Sequence, residues 1–598
     1  MATKIIPPIF ITQSEEILDK MYDPKVARGL LQFVKPYMGQ LLLALFFMIL
    51  VTAASVSGPY FVKLAIDDGI AVHDIASLKR TVLIFLGVSI VQLGLNYLRV
   101  LIMSRVGQHV LYDVRMAMFA HLQKLSLSFY NRYSVGRVIT RVINDVGTLR
   151  EFITWAVLAI VRNLLGIVGT LIAMIALNVK LSMLTFAVLP VMIFATVLFR
   201  SVARKNYRRV RAAVSWTNSV LAESVNGVRV VQAFSRQERN YKTFKEYVNR
   251  YFYETSLDAA KVASVFTPVV DILGAIATSL VVYVGGTAVL GESITPGVLI
   301  AFVLYVDRFF EPIRDLSRRF DTLQSTMAGG ERILELLNTP VDVQDAANAK
   351  ELGSIVGGVR FENVSFHYSD DPTLVLDQIN LDVKAGETVA LVGETGAGKT
   401  TIIKLLTRFH DPTDGCLRVD GVDLREVTQQ SLRRQMGMVL QDPFLFNGSV
   451  KENILFGRLG ASDEEVIAAA KAVGAHDFIL GLKNGYETSV EEGGVTLSVG
   501  QRQLISFARA LLADPRILIL DEATSSVDIQ TEQIIQRALI KLLKGRTSFV
   551  IAHRLSTITS ADRIVVIEGG KIAEEGTHTE LLANRGMYYE LYKTGFQE

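Results

Sequence analysis

Long apolar segments dominate the first half of the chain. Six of them approach the roughly 20 residues that an α-helix needs to cross a bilayer. They cover about residues 41–64, 81–103, 152–177, 181–199, 265–290 and 298–310. The last segment is short, and we expect its helix to continue into the cytoplasm. The pattern therefore predicts an all-α membrane domain of six transmembrane helices.

The connections between these segments differ in length and in charge. Two are long, and they carry seven Lys/Arg between residues 105 and 150 and thirteen between residues 200 and 261. The short connection at residues 291–296 carries none. Because positive charge favours the cytoplasmic side of a membrane, the pattern predicts that the long connections and both termini are cytoplasmic.

The long connections have a helical pattern of their own. From Val106 to Leu125, apolar residues recur at helical spacing, which predicts that the second membrane helix continues roughly 30 Å into the cytoplasm. Each such extension needs a short reversing element, and Ser126–Ser134 and Val225–Gln237 fit that role. The alternative interpretation is a pair of plain polar loops.

Five ionisable residues lie within or near the predicted spans: Arg99, Arg162, Asp271, Asp307 and Arg308. Charged groups are costly in lipid, so they usually face a wet cavity or a partner. An arginine near a helix end can instead extend its side chain to the membrane surface. Asp271 and the Asp307/Arg308 pair are therefore the stronger candidates for a transport path.

Composition agrees with a membrane part joined to a soluble part. Half of the 598 residues are apolar and 20% are charged, which is too apolar for an ordinary soluble protein. The net charge of +3 gives no reason to expect a nucleic-acid partner. The single cysteine, Cys416, excludes an intrachain disulfide and is interpreted as a packing residue.

The pattern divides the chain into four parts. Residues 1–23 are a predicted cytoplasmic tail of unknown role, and residues 24–335 are the predicted transmembrane domain. A polar, Gly/Ala-rich linker is predicted at residues 336–357. In residues 358–598, strands, Gly-rich turns and helices alternate, which predicts an α/β domain with a largely parallel sheet.

The α/β part contains a phosphate-binding loop. An apolar strand at Thr388–Val392 is followed by G-E-T-G-A-G-K-T and then by a helical pattern. Glycines let backbone N–H groups close around phosphates, Lys399 should reach the β- and γ-phosphates, and the Thr400 hydroxyl should bind Mg²⁺. The predicted nucleotide contacts are Gly393, Glu394, Thr395, Gly396, Ala397, Gly398, Lys399, Thr400 and Thr401.

A second stretch, Val495–Asp528, points to the same chemistry. Its apolar strand, Ile517–Leu520, ends in Asp521 and Glu522. One carboxylate at such a strand end can hold a metal ion while the other polarises a water molecule. Upstream, the turn at Gly500 opens a helix, whose free N–H groups suit an anion.

With these motifs in this order, the second half of the chain resembles an ATP-binding cassette. The six apolar segments ahead of it resemble the membrane domain of an ABC exporter, and the resemblance covers about residues 24–598. It implies the fold class: an all-α six-helix transmembrane domain with long cytoplasmic helix extensions, followed by an α/β P-loop ATP-binding cassette domain. ATP and Mg²⁺ are the implied cofactors.

The resemblance also implies roles for single residues that alone would carry little signal. Tyr368 matches the aromatic residue that stacks on adenine, and Gln441 matches the Q-loop glutamine that touches Mg²⁺. Asp521 matches the metal ligand, Glu522 the general base and His553 the switch histidine near the γ-phosphate. The implied Mg²⁺ ligands are Thr400, Gln441 and Asp521.

Three further motifs concern other parts of a dimer. Leu497–Gln501 matches the signature motif, which faces the ATP of the partner through Ser498, Gly500 and Gln501. Ser525–Asp528 matches the D-loop. Glu492 matches the acidic residue that exporters use to contact the coupling helices, which would be the two reversing elements. A solvated acidic loop is the alternative interpretation of Glu492.

The implied function is ATP-driven export of a small amphipathic or hydrophobic substrate, a drug or a lipid, across the cytoplasmic membrane by alternating access. Only one cassette is present, so the chain would be a half-transporter that dimerises. Two alternatives stay open, namely an exporter-fold importer and an ATP-binding regulator or channel-like ABC protein that does not pump. The substrate and the direction of transport are not readable from these motifs.

The signature motif carries one clue to the partner. Val499 stands where the family usually has glycine. Heterodimeric exporters commonly pair one intact site with one degenerate site, and the chain with the catalytic glutamate often lends an altered signature to its partner's weaker site. The sequence therefore favours a paralogous heterodimer over a homodimer.

Overall fold

The computed structural model describes residues 24–151, 157–318, 320–368, 371–494, 496–521, 529–552 and 555–595. The chain forms two compact units. The first comprises Met1–Gln123 and Ser134–Thr339, and the second comprises Lys124–Tyr133 and Pro340–Glu598. A short segment from the first half of the chain therefore belongs to the second unit.

The described residues of the first unit form helices joined by short turns. Its helices, with the short α4 that belongs to the second unit, are α1 (Pro24–Val34), α2 (Met38–Leu64), α3 (Ile75–Leu122), α4 (Leu127–Arg132), α5 (Val135–Thr140), α6 (Val146–Glu151), α7 (Val157–Leu177), α8 (Val179–Phe186), α9 (Leu189–Asn226), α10 (Val228–Ala233), α11 (Gln237–Thr243), α12 (Arg250–Leu290), α13 (Pro296–Arg318) and α14 (Phe320–Leu337).

Three of these helices are far longer than a bilayer requires. The 48 residues of α3 span about 72 Å at 1.5 Å per residue, against a hydrocarbon core of about 30 Å. The apolar stripe that predicted this extension is buried at Val106, Val110, Val114, Met118 and Leu122. The long helices α9 and α12 likewise continue beyond their apolar segments and form much of the second long connection.

Four helical stretches in the described part of the chain are long and apolar enough to cross a membrane. They are Pro24–Ile70, Ile75–Leu122, Val179–Asn226 and Gln237–Leu290, and the shorter Val161–Leu177 is also apolar. Six spans stay a prediction, and residues 152–156 of the third predicted span lie outside the described residues. Among the ionisable candidates, Arg99 is buried, whereas Asp271 and Asp307 are exposed.

The end of α2 is fastened to the start of α13. A single π-helical turn, Ala65–Ile70, follows α2 and carries Asp67. The Asp67 carboxylate accepts hydrogen bonds from the Gly297 N–H at 2.8 Å and from the Thr295 hydroxyl at 2.5 Å. It thereby satisfies an N–H at the start of α13 that has no partner within its own helix.

The described residues of the second unit form three sheets. Its strands are β1 (Val359–Phe366), β2 (Leu376–Val383), β3 (Thr388–Val392), β4 (Asp414–Val419), β5 (Val422–Asp423), β6 (Met436–Val439), β7 (Gly448–Ser449), β8 (Ser489–Val490), β9 (Ile517–Asp521), β10 (Thr547–Ile551), β11 (Arg563–Glu568) and β12 (Lys571–Gly576). The central sheet has the order β12-β11-β3-β10-β9-β6. Among the described strands of the central sheet, β12 alone runs antiparallel to its neighbour.

Helices surround these sheets. They are α15 (Lys399–Leu406), α16 (Gln429–Arg433), α17 (Val450–Leu455), α18 (Asp463–Ala472), α19 (His476–Leu480), α20 (Val499–Ala513), α21 (Ile529–Leu543), α22 (Leu555–Thr559), α23 (His578–Asn584) and α24 (Met587–Gly595). Strands β3, β9 and β10 are almost continuously buried, as expected for parallel strands covered on both faces. The predicted fold class is confirmed: a membrane domain of long helices followed by an α/β domain.

Candidate nucleotide-binding site

The phosphate loop leaves the carboxyl end of the buried strand β3. Gly393, Gly396 and Gly398 have φ values of 151°, 90° and 112°, which favour glycine. A Cβ at Gly393 would lie 2.2 Å from the carbonyl oxygen of Ile567, so this position has no room for a side chain. The loop then passes directly into α15, and the N-terminus of a helix is a favourable site for an anion.

Lys399 closes this loop. Its side chain is buried, and its Nζ donates hydrogen bonds to the carbonyl oxygens of Gly393 at 2.6 Å and Glu394 at 2.8 Å. Burial lowers the pKa of the Lys399 ammonium, while the Asp521 carboxylate opposes that shift. The loop thus holds a positive charge beside backbone N–H donors, which is the arrangement that a polyphosphate requires.

The predicted metal and water residues follow strands of the same sheet. Asp521 is the last residue of β9, and Gln441 is an exposed residue shortly after β6. These two strands are parallel neighbours, with Val439 opposite Leu520. Because carboxyl ends of parallel strands meet at one edge of a sheet, Asp521 and Gln441 share the edge from which the phosphate loop leaves β3.

Two predicted catalytic residues have no structural description. Glu522 and the D-loop residues Ser525–Asp528 lie outside the described residues, as does His553. Glu522 follows Asp521 directly in sequence, and His553 comes two residues after the end of β10. Their assigned roles stay predictions.

Both units match known protein families. The family model of an ABC transporter transmembrane region matches residues 41–313, and that of an ABC transporter matches residues 376–525. The uncharacterized ABC transporter ATP-binding protein YknV of Bacillus subtilis (strain 168) is 42% identical over 589 residues, which cover 98% of this chain and 97% of the relative. The chain belongs to the ABC transporter family.

Two further relatives have more specific names. An ATP-dependent lipid A-core flippase of Desulfotalea psychrophila is 37% identical over 572 residues, covering 96% of this chain and all of the relative. A putative multidrug export ATP-binding/permease protein, YgaD of Bacillus subtilis (strain 168), is 39% identical over 573 residues, covering 95% of this chain and 99% of the relative.

The chain is an ABC half-transporter, because it joins one transmembrane region to one ATP-binding region. ABC half-transporters of this type work as dimers. The chain is therefore a membrane protein whose ATP-binding region lies on the cytoplasmic side, and ATP hydrolysis by that region is coupled to transport.

Tyr368 lies beside the helix that follows the phosphate loop of this ABC transporter. Its hydroxyl is 3.1 Å from the Thr401 hydroxyl, and the Lys404 ammonium lies 5.4 Å from its ring centroid. The buried His410 ring meets the Tyr368 ring edge-on, with centroids 5.4 Å apart. The phenol is thus fixed next to α15, and its role of stacking on adenine stays a prediction.

The signature motif opens the long helix α20. Ser498 is the N-cap residue, and its hydroxyl accepts a hydrogen bond from the Gln501 N–H at 3.2 Å. The Gln501 side chain accepts one from the Ser498 N–H at 2.9 Å, which completes a capping box. A hydroxyl that accepts in this way still has its own proton to donate. Gly500, the second residue of α20, is buried.

The first predicted reversing element belongs to the second unit except for Ser134, and hydrogen bonds hold its start within that unit. Ser126 and Ser128, at the start of α4, each donate a hydrogen bond of 2.5 Å to the Asp342 carboxylate. Burial by itself raises the pKa of the Asp342 carboxyl, but these hydroxyls, together with His410 and Arg132 nearby, hold the pKa below its ordinary value. Asp342 therefore stays ionised and keeps both bonds at neutral pH.

Sequence reasoning missed Asp342 and His410. Asp342 lies in the predicted linker, and no sequence motif includes His410. Together they connect α4 to the ring of Tyr368, since His410 interacts electrostatically with Asp342 and contacts the tyrosine ring. No local motif marks either residue, because the three segments meet only in the folded unit.

We expect Asp342→Ala to weaken the link between ATP hydrolysis and transport. The variant removes the acceptor of two serine hydroxyls, each bond to a charged group being worth about 1.5–3 kcal/mol before solvent screening. ATP binding should be unchanged, while the amount of probe moved per ATP hydrolysed should fall several-fold. Asp382→Asn, an exposed carboxylate on β2 paired with Arg360, is the control. If Asp342→Ala moves as much probe per ATP hydrolysed as the wild type, Asp342 does not help to couple hydrolysis to transport.

Proposed function

We propose that this chain is one half of a dimeric exporter that moves a small amphipathic or hydrophobic substrate, a drug or a lipid, outward across the cytoplasmic membrane. The proposal rests on a phosphate loop held shut by Lys399 in a chain that is similar, over nearly its whole length, to a flippase and a multidrug export protein. Alternating access is the proposed mechanism, driven by closure of two ATP-binding regions.

In the proposed ATP site, residues of this chain position the nucleotide and polarise the attacking water. Lys399 and the start of α15 hold the phosphates, Tyr368 stacks on the base, and Glu522 takes a proton from the attacking water. His553 and Gln441 would contact the γ-phosphate and the metal. These roles follow from the family resemblance and the strand ends to which the residues are attached.

Mg²⁺ is the proposed metal cofactor. The donor set fits, because Thr400 offers an exposed hydroxyl at the start of α15, and Asp521 offers a carboxylate from the same sheet edge. Gln441 would complete the protein contribution. When bound, the ion would neutralise charge on the phosphate oxygens.

We infer a paralogous heterodimer. Ser498, Gly500 and Gln501 would face the partner's ATP from the start of α20, where Val499 replaces the usual glycine. A valine there adds bulk to a helix start that must approach a phosphate closely.

Two other functions predict different behaviour. An importer of the exporter fold would move the substrate inward, and a regulator or channel-like protein would bind ATP without moving a substrate against a gradient. The sequence of this chain contains both Glu522 and His553, which favours active hydrolysis over a regulatory role. Only a measurement of vectorial transport distinguishes import of the substrate from export.

A single preparation tests the proposal. The tagged chain is purified from its native membrane, the mass of whatever co-purifies is measured, and the complex is reconstituted into liposomes. We expect a second, related chain, and ATP-dependent movement of a fluorescent drug such as Hoechst 33342 or of fluorescently labelled phosphatidylethanolamine away from the ATP-binding side. A pure self-dimer with full ATPase activity would contradict the heterodimer, and movement toward the ATP-binding side would contradict export.

A further inference from the structure

A proline interrupts the hydrogen bonding of the first membrane helix. Pro59 lies inside α2 and is buried. Proline has no N–H, so the carbonyl four residues earlier, that of Ser55, loses its usual donor within the helix. Inside a bilayer no water is available to replace that donor, and a carbonyl left without one is costly.

Two side chains of α13 meet the opened turn. Arg308 donates from one guanidinium nitrogen to the carbonyl oxygen of Ser55, and the same nitrogen lies 3.0 Å from the Ser55 hydroxyl. The buried Tyr305 donates from its hydroxyl to the carbonyl oxygen of Val56 at 2.8 Å. Tyr305 and Arg308 are three residues apart, so they lie on one face of α13.

The sequence around Pro59 leaves room for this contact. A Cβ added at Gly58 would lie 3.1 Å from the second guanidinium nitrogen of Arg308. Any side chain at that position would crowd the guanidinium. Gly58, Pro59 and Arg308 are therefore complementary: the proline frees the carbonyl, the glycine opens the approach, and the arginine supplies the donor.

We infer that Arg308 is a positioning residue for transport, because its guanidinium replaces the N–H that Pro59 lacks and fastens the bend of α2 to α13. This inference rests on the proposed alternating-access mechanism, in which two helices joined in this way would change position together. The sequence predicts a transport-path role for the Asp307/Arg308 pair, and that role stays a prediction. The structure shows that one guanidinium nitrogen of Arg308 is bonded to the backbone of α2.

A double-mutant experiment tests this inference, since Pro59→Ala restores the missing N–H. The purified dimer in lipid nanodiscs is compared as wild type, Arg308→Ala, Pro59→Ala and the double variant. We expect Arg308→Ala to lower the thermal unfolding midpoint by about 2–4 °C and to reduce basal ATP hydrolysis several-fold. In the Pro59→Ala background, Arg308→Ala should cause less than half of that fall in the unfolding midpoint and less than half of that loss of ATP hydrolysis. The reason is that the backbone N–H of the alanine at position 59 can donate to the Ser55 carbonyl.

Controls separate this effect from general stabilisation. Pro268→Ala removes another proline inside a membrane helix, α12, and should not rescue Arg308→Ala. Arg308→Lys keeps a donor and should retain most of the activity. If Arg308→Ala yields no folded dimer, recovery of the dimer in the double variant supports the inference.

Equal losses from Arg308→Ala in the wild-type and Pro59→Ala backgrounds would overturn the inference. So would rescue by Pro268→Ala, or failure of the double variant to fold when Pro59→Ala alone folds. The thermal measurement does not depend on the proposed export activity, so a failed transport assay leaves this test intact.

Discussion

Replacing Lys399 with alanine is expected to abolish ATP binding by this cassette and to reduce its hydrolysis at least 100-fold. The variant loses the buried ammonium that lies between two loop carbonyls and that would face the β- and γ-phosphates. Removing one preorganised donor of this kind typically costs about 10²–10³ in rate. Binding of a fluorescent ATP analogue and phosphate release by the purified dimer measure the two effects.

Two matched variants show whether the loss is specific. Lys571→Ala removes an exposed ammonium that pairs with Asp377 at 2.9 Å, and it should leave ATP binding unchanged. Gly393→Ala should reproduce the loss by a different route, because its Cβ would collide with the Ile567 carbonyl. Lys399→Ala with wild-type affinity for ATP would remove Lys399 from the nucleotide site.

The parts of the fold that could be predicted depend on local pattern. The strand, Gly-rich loop and helix around Lys399 lie together in sequence, and the structure has them as β3, the loop and α15. The apolar stripe from Val106 likewise predicted the extension of α3, since burial of one helical face leaves a periodic signal.

The parts that could not be predicted depend on contacts between distant segments. The separate four-stranded sheet, ordered β2-β1-β4-β5, follows from register that no single stretch records. The attachment of α4 to Asp342 joins residues more than 200 positions apart. Arg308 shows the same limit, because its charge suggested a transport path and only the fold places Ser55 against it.

The capping box at the start of α20 could have been predicted from the sequence. Ser498 and Gln501 form the S-x-x-Q spacing of a capping box, which stabilises the start of α20 in addition to any contact with a partner's ATP. Substitution of either residue therefore combines a loss of helix capping with a loss of phosphate contact. A thermal unfolding measurement beside the ATPase assay is needed to separate these two effects.

Glu522→Gln is expected to leave ATP binding intact while hydrolysis falls by about 10²–10⁴-fold, which would trap the closed dimer. The amide has the size of the carboxylate but cannot accept a proton from the attacking water. Asp521→Asn should behave differently, since it weakens the metal site and with it ATP binding. The two variants should therefore have opposite phenotypes. Glu522→Gln should retain ATP without hydrolysing it, whereas Asp521→Asn should release ATP.

The measurement is retention of labelled ATP after gel filtration of the dimer, together with phosphate release. The dimer must carry Glu522 as its only intact base, so any equivalent glutamate in a partner is replaced as well. Glu464→Gln, an exposed acid in the first turn of α18, is the control and should keep full turnover. Near-normal turnover in Glu522→Gln would rule out Glu522 as the general base, and the water would then have to be activated by another group at the same strand end.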